Sequence, residues 1–150
     1  MGRTPTDRSA ALARLEPLLG AWTQEASIAP GATGHAVFEW TLDGAFLLER
    51  SEAPDPAPNG RMLVDPNADD DGYTQHYFDS RGVVRIYAMT FGDGTWTLER
   101  TKPDFTPLSF AQRFLGAFSA DGNTIDSRWE SSQDGGATWE LDFELTFRRA

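Results

Sequence analysis

The chain holds two histidines and no cysteine, so His35 and His76 are the side chains that ordinarily titrate near neutral pH. His76 is the more suggestive. If the turns beside its strand have three residues each, it shares a face with Trp96, Leu98 and Arg100. Pointing into an enclosed interior, its imidazole can contact a ligand or serve as a base. The competing reading is a core-edge histidine satisfied by a nearby carbonyl or by Thr74. On the same face Arg100 is costly to bury without a partner, which makes it an anchor for a ligand carboxylate or a paired rim residue. Arg50 poses the same question on an earlier strand. Gln112 stands among Phe110, Phe114 and Phe118. It is either a polar handle in an apolar pocket or the partner of Ser127 or Ser131.

Other chemistry finds no support. The sequence has no glycine-rich phosphate loop, no G-x-S-x-G elbow, no H-E-x-x-H and no metal-ligand spacing. The acidic stretch from Asp65 to Gly72 suggests calcium, but an EF-hand loop needs Gly at its sixth position and Glu at its twelfth. Counted from Asp65, those positions hold Asp70 and His76, so a solvated loop is expected. Thirteen basic against 23 acidic residues leave a net charge of −10. Such a surface repels nucleic-acid backbones and anionic headgroups, so neither nucleic acid nor membrane is an expected partner. The missing cysteines and the start, with no apolar leader, lead to the expectation of a cytoplasmic monomer or homodimer.

The elements that must position these side chains are legible in the punctuation. One apolar stripe (Ala11, Leu12, Leu15, Leu18, Leu19) predicts a helix over Arg8–Leu19, capped by Thr6 or Asp7 and broken early by Pro17. It is expected to plug or cover a barrel, with residues 1–7 disordered. Beyond Gly20 come ten runs rich in aromatic and β-branched residues, the fourth (Arg61–Val64) weak. Asp43-Gly44, Gly92-Asp93-Gly94, Asp121-Gly122 and other glycine turns separate them, so consecutive strands are antiparallel neighbours. Closing an even-numbered meander removes both exposed edges. The expected fold is therefore one all-β domain over 1–150, a closed antiparallel meander barrel of about ten strands with a short N-terminal helix.

Alternation assigns the inner face. On the last strand Trp139, Leu141, Phe143, Leu145 and Phe147 oppose Glu140, Asp142, Glu144 and Arg148. A four-residue loop about Asp121-Gly122 sets Phe114, Gly116 and Phe118 against Trp129, Ser127 and Ile125. Three-residue loops at 80–82 and 92–94 bring Thr74, His76 and Phe78 inside with Val84, Ile86, Ala88, Trp96, Leu98 and Arg100. Tyr73, Gln75, Tyr77, Arg85, Tyr87 and Glu99 are then expected outside.

Gly20-Ala21-Trp22 at the start of the first strand, with Arg148 or Arg149 at the end of the last, resembles the calycin signature of lipocalins and fatty-acid-binding proteins. That resemblance implies structural roles for Gly20, Trp22 and Arg148, the basic residue lying across the Trp. Tyr73–Tyr87, Asp121–Ile125, Arg128-Trp-Glu130 and Asp134–Trp139 together resemble an uncharacterised bacterial calycin-like family, from Leu15 onward. The related nitrobindins bind haem through a histidine near the C-terminal strands, and residues 123–150 hold none, so no cofactor is expected.

Two functions follow. The first is a carrier or sensor whose lumen binds a small hydrophobic or aromatic molecule, with Trp40, Phe114, Trp129, Leu141 and Phe143 as walls and His76, Arg100 and Gln112 orienting it. The second is a lumen-based isomerase, cyclase or hydratase in which His76 moves a proton.

Overall fold

The structure is a computed structural model that describes residues 5–150, with side chains from Arg8 onward. Of the segment expected to be disordered, 1–4 lie outside the described residues, while Pro5 opens helix α1 (Pro5–Ala13). The helix stops where Pro17 denies the i−4 bond and continues as a 3-10 turn, Glu16–Leu18. Ten strands follow: β1 (Gly20–Ala26), β2 (Gly34–Thr41), β3 (Phe46–Glu52), β4 (Gly60–Pro66), β5 (Tyr73–Asp79), β6 (Val84–Gly92), β7 (Thr95–Arg100), β8 (Ala111–Phe118), β9 (Thr124–Ser132) and β10 (Glu140–Arg149). Each pairs antiparallel with the next, and β1 pairs with β10, so the barrel is closed. Its pattern of aromatic runs and glycine turns is what the sequence predicts. No described helix is long and apolar enough to cross a membrane.

One end of the barrel is plugged. Ala11, Leu15 and Leu18 are buried over it. The Tyr73 hydroxyl donates to the Ala11 carbonyl at 2.7 Å, and the Trp22 indole N–H to the Leu18 carbonyl at 2.8 Å. Arg8 ties the helix to Asp65 at 2.7 Å and to the Ala45 carbonyl at 2.6 Å. Below the plug, rings meet edge to face: Trp22 with Phe118 and Phe147, Phe91 with Phe118, and Trp96 with Phe38. Such geometry sets ring edges against negative faces and adds to simple area burial.

The basic residue across Trp22 is Arg149 rather than Arg148. Trp22 pairs with Arg149, whose guanidinium carbon lies 4.0 Å from the ring centroid. Arg149 also donates to the carbonyls of Leu19 and Pro17, orphaned where the helical turn ends. Arg148 is exposed. Strand alternation requires this: Phe143, Leu145 and Phe147 point inward, and 149 continues their row. Gly20 takes a left-handed φ of 111°, and a Cβ there would come within 3.2 Å of the Arg149 guanidinium.

Two turns decide which side chains enter the lumen. The β5–β6 hairpin has the expected register, with Phe78 opposite Val84 and His76 opposite Ile86. The β6–β7 turn is shorter than expected. Asp93 and Gly94 alone form the loop, with φ of 53° and 75°, the two left-handed residues of a tight hairpin. Trp96 therefore faces Phe91, and Leu98 faces Met89. One residue fewer in the turn exchanges the faces of β5 and β6. Tyr73, Gln75, Tyr87 and Met89 are buried inside, while Phe78 is 41% exposed outside. The second correction is in β10, where a bulge between Leu141 and Phe143 sets Leu141 opposite Glu130. Leu141 is 57% exposed, and Trp139 stacks outside on Arg113 at 4.3 Å.

Candidate functional site

The unplugged half of the lumen is built differently from the plugged half. Its inward row runs across neighbouring strands: Gln75 beside Tyr87, and Tyr77 beside Arg85. The Gln112 carbonyl oxygen accepts from the Tyr87 hydroxyl and from Arg85 Nη1, both at 3.1 Å. Rings continue the wall, with Tyr87 5.7 Å from Trp129, Trp129 5.2 Å from Phe114, and Tyr77 edge-on to Tyr87. Phe143 pairs with Trp129 and is half-buried. Burial holds the Tyr87 hydroxyl above its usual range, despite Arg85 beside it, so it stays a donor at neutral pH. The result is a polar floor of Gln75, Arg85, Tyr87 and Gln112 against a wall of four rings.

Two polar atoms of this floor lack protein partners among the described residues. The Gln75 side-chain oxygen and Arg85 Nε are buried with no hydrogen bond among the described residues. Arg85 makes no ion pair among the described residues either. Such groups usually find partners, because each one left unsatisfied costs ~1–3 kcal/mol. Nearby, on the inner face of β3, stands Glu49. It is 3% exposed and opposite Phe38 and Met62, with no hydrogen bond or ion pair among the described residues. Burial alone pushes its carboxyl up to about 8, so it is largely neutral at pH 7.

The expected site residues divide. Gln112, Phe114, Trp129 and Phe143 come together in this half. Arg100 points inward but is paired within the chain: Nε and Nη2 clamp the two Asp104 oxygens, each at 2.9 Å, and Nη2 also reaches the Thr106 carbonyl. Asp104 further accepts from the Ile86 and Thr106 amides, and the Arg100 guanidinium holds its carboxyl well below the usual range. This pair fastens the loop 101–110 to the rim and supplies the Arg100 charge with its counter-charge from within the chain. His76 is half-buried on the outer face, between Leu63 and Ile86, because of the β6–β7 turn. Leu141 lies outside because of the bulge. Trp40 is half-buried at the plugged end, lining a surface groove with Leu12, Ala13 and Glu16. Arg50 lies outside, paired with Glu39 at 2.9 Å.

Sequence reasoning passes over Glu49, Gln75, Tyr77, Arg85 and Tyr87. The Asp93-Gly94 dipeptide is the signal that would have found most of them, since it favours a two-residue turn. Glu49 has no such signal, because Phe46, Leu47 and Leu48 blur the alternation of β3.

The fold and floor define a closed ten-strand antiparallel barrel, plugged at one end and lined with hydrogen-bonding side chains towards the other. No family model matches the chain, and no curated protein matches it. Among solved structures it is similar to Rv2717c from M. tuberculosis, with a TM-score of 0.61 and 17% identity over 93% of this chain and 97% of that one. At that identity the likeness is one of fold.

Proposed function

We propose that the chain binds one small aromatic molecule carrying an anionic head, in the unplugged half of the lumen. The observation that carries this reading is Arg85, held between Tyr77 and Gln112 with Nε buried and unpartnered and with no ion pair among the described residues. A ligand carboxylate would supply the missing acceptor and counter-charge, as charge-assisted pairs do. Trp129, Tyr87, Phe114 and Phe143 offer the apolar contact area. The rings already packed below the plug confine an occupant to the unplugged half, so it is smaller than a long acyl chain. The resemblance to calycin-like barrels agrees with a lumenal ligand. Proton transfer by His76 loses its footing, since that imidazole stands outside the wall.

Calorimetry with 2-naphthoate and neutral 2-naphthamide tests this. Wild type binds naphthoate more tightly. Arg85→Met loses at least about tenfold for naphthoate and little for naphthamide, the expected value of a charge-assisted bond. Trp129→Ala weakens both. Equal affinities for the two probes in wild type and Arg85→Met would remove the anionic head from the account, and no binding of either would remove the site.

A further inference from the structure

Glu49 does no structural work that the fold can be seen to need. Its backbone sits in the middle of β3, paired to Phe38 on one side and Met62 on the other. Both neighbours are apolar, so a Leu or Met at 49 would pack between them. The carboxyl points to the lumen with Leu47, on the inner row that continues through Met62 to Tyr77. It holds no turn, caps no helix and pairs with no cation among the described residues. A polar side chain buried in this way is useful when its partner comes from outside the chain.

We propose that Glu49 is a second polar subsite of the lumen, a neutral carboxylic acid that donates its O–H to an oxygen of the aromatic ligand and disfavours anionic ligands once it ionises. The inference rests on the reading of the lumen as a binding site. The charged and titratable groups around Glu49 are few. On β2 and β4, His35, Glu39, Arg61 and Asp65 alternate outward, and on β3 Arg50 does the same. Across the lumen stand Tyr77, Arg85, Tyr87 and Arg100, the last neutralised by Asp104. Arg149, Arg8, Arg14 and Glu16 belong to the plugged end. No cation is therefore paired with the Glu49 carboxyl to hold it ionised, and burial leaves it protonated up to about pH 8. With Arg85 positive and Glu49 neutral, the lumen favours an anion at neutral pH. Ionised, Glu49 can no longer donate and repels the same head.

The experiment is calorimetry of wild type, Glu49→Gln and Glu49→Met with 2-naphthoate and 2-naphthamide, from about pH 6 to about pH 9, together with 13C NMR titration of the Glu49 carboxyl without ligand. Wild-type affinity for naphthoate is expected to fall about tenfold between pH 7 and 9, as the protonated fraction falls. The fall for naphthamide is smaller. Glu49→Gln keeps a donor and binds both probes with a flat profile, while Glu49→Met binds both weakly at every pH. An unchanged affinity and pH profile in Glu49→Met would overturn the subsite, as would a Glu49 carboxyl that titrates in the ordinary carboxylate range. Those results leave the Arg85 reading standing. Naphthoate selectivity that survives Arg85→Met, with the Glu49 profile intact, overturns the anchor and keeps the subsite. A wild type that binds neither probe overturns both.

Discussion

Replacing Glu49 by Gln should make the protein more stable, by an amount that grows with pH in a defined window. In the unfolded chain the Glu49 carboxyl titrates near its ordinary value of 4.5, and in the barrel near 8. The folded state therefore holds a proton that the unfolded state has released between those values. A carboxyl raised on folding weakens the fold as pH rises, the reverse of an ion-paired one. Below about pH 4 both states are protonated and the linkage contribution vanishes. At pH 7 the cost reaches about 3 kcal/mol, and above pH 8 it levels off at about 5 kcal/mol. Gln has the same shape and takes up no proton, so it removes this dependence and retains a buried amide. For a chain of this length that corresponds to a melting temperature ~6–12 °C higher at pH 7. Urea denaturation of both proteins at about pH 4, 5.5, 7 and 8.5 gives the difference directly. Subtraction cancels the repulsion among the surface carboxylates, which both proteins share. Two curves that run parallel across the series would refute the reasoning, because they would mean that Glu49 titrates alike in both states.

Other consequences can be checked with single variants. Arg149→Ala removes the cation from Trp22 and the donors from two helical-turn carbonyls, and should cost about 2 kcal/mol by denaturant unfolding, whereas Arg148→Ala should stay within about 0.5 kcal/mol of wild type. Asp104→Asn leaves the buried Arg100 guanidinium without its counter-charge and should destabilise by about 3 kcal/mol at pH 7. Because Arg100 lowers the Asp104 carboxyl, the wild-type advantage over Asp104→Asn holds above the ordinary carboxylate range and disappears as pH falls through and below it. His76→Ala, on the outer wall, should leave naphthoate affinity within about twofold by calorimetry, a change under 0.5 kcal/mol.

The architecture was legible because its signals are redundant. Ten runs, most of them separated by glycine turns, overdetermine a meander, and closure follows from avoiding two free edges. The β8–β9 register was equally plain, since Phe114 opposite Trp129 and Phe118 opposite Ile125 need only a four-residue loop. The floor of the lumen was not legible in the same way. Every assignment on β5 and β6 hangs on the residue count of one turn, and period-two alternation turns a one-residue error into a complete exchange of faces. Hence Tyr87 and Gln75 were expected in solvent and His76 in the lumen. Leu141 was misplaced for a related reason, since a bulge interrupts a run that alternates cleanly in sequence. Arg100 was placed correctly, but its partner Asp104 sits in a loop that no periodicity describes.

The most direct test of the account is where a ligand touches the barrel. Backbone and side-chain NMR shifts on adding 2-naphthoate should concentrate at Gln75, Arg85, Tyr87, Gln112 and Trp129 and spare His76 and Phe78 on the far side of the same strands. Shifts confined to the outer wall, or to the groove between α1 and Trp40, would contradict a lumenal binding site.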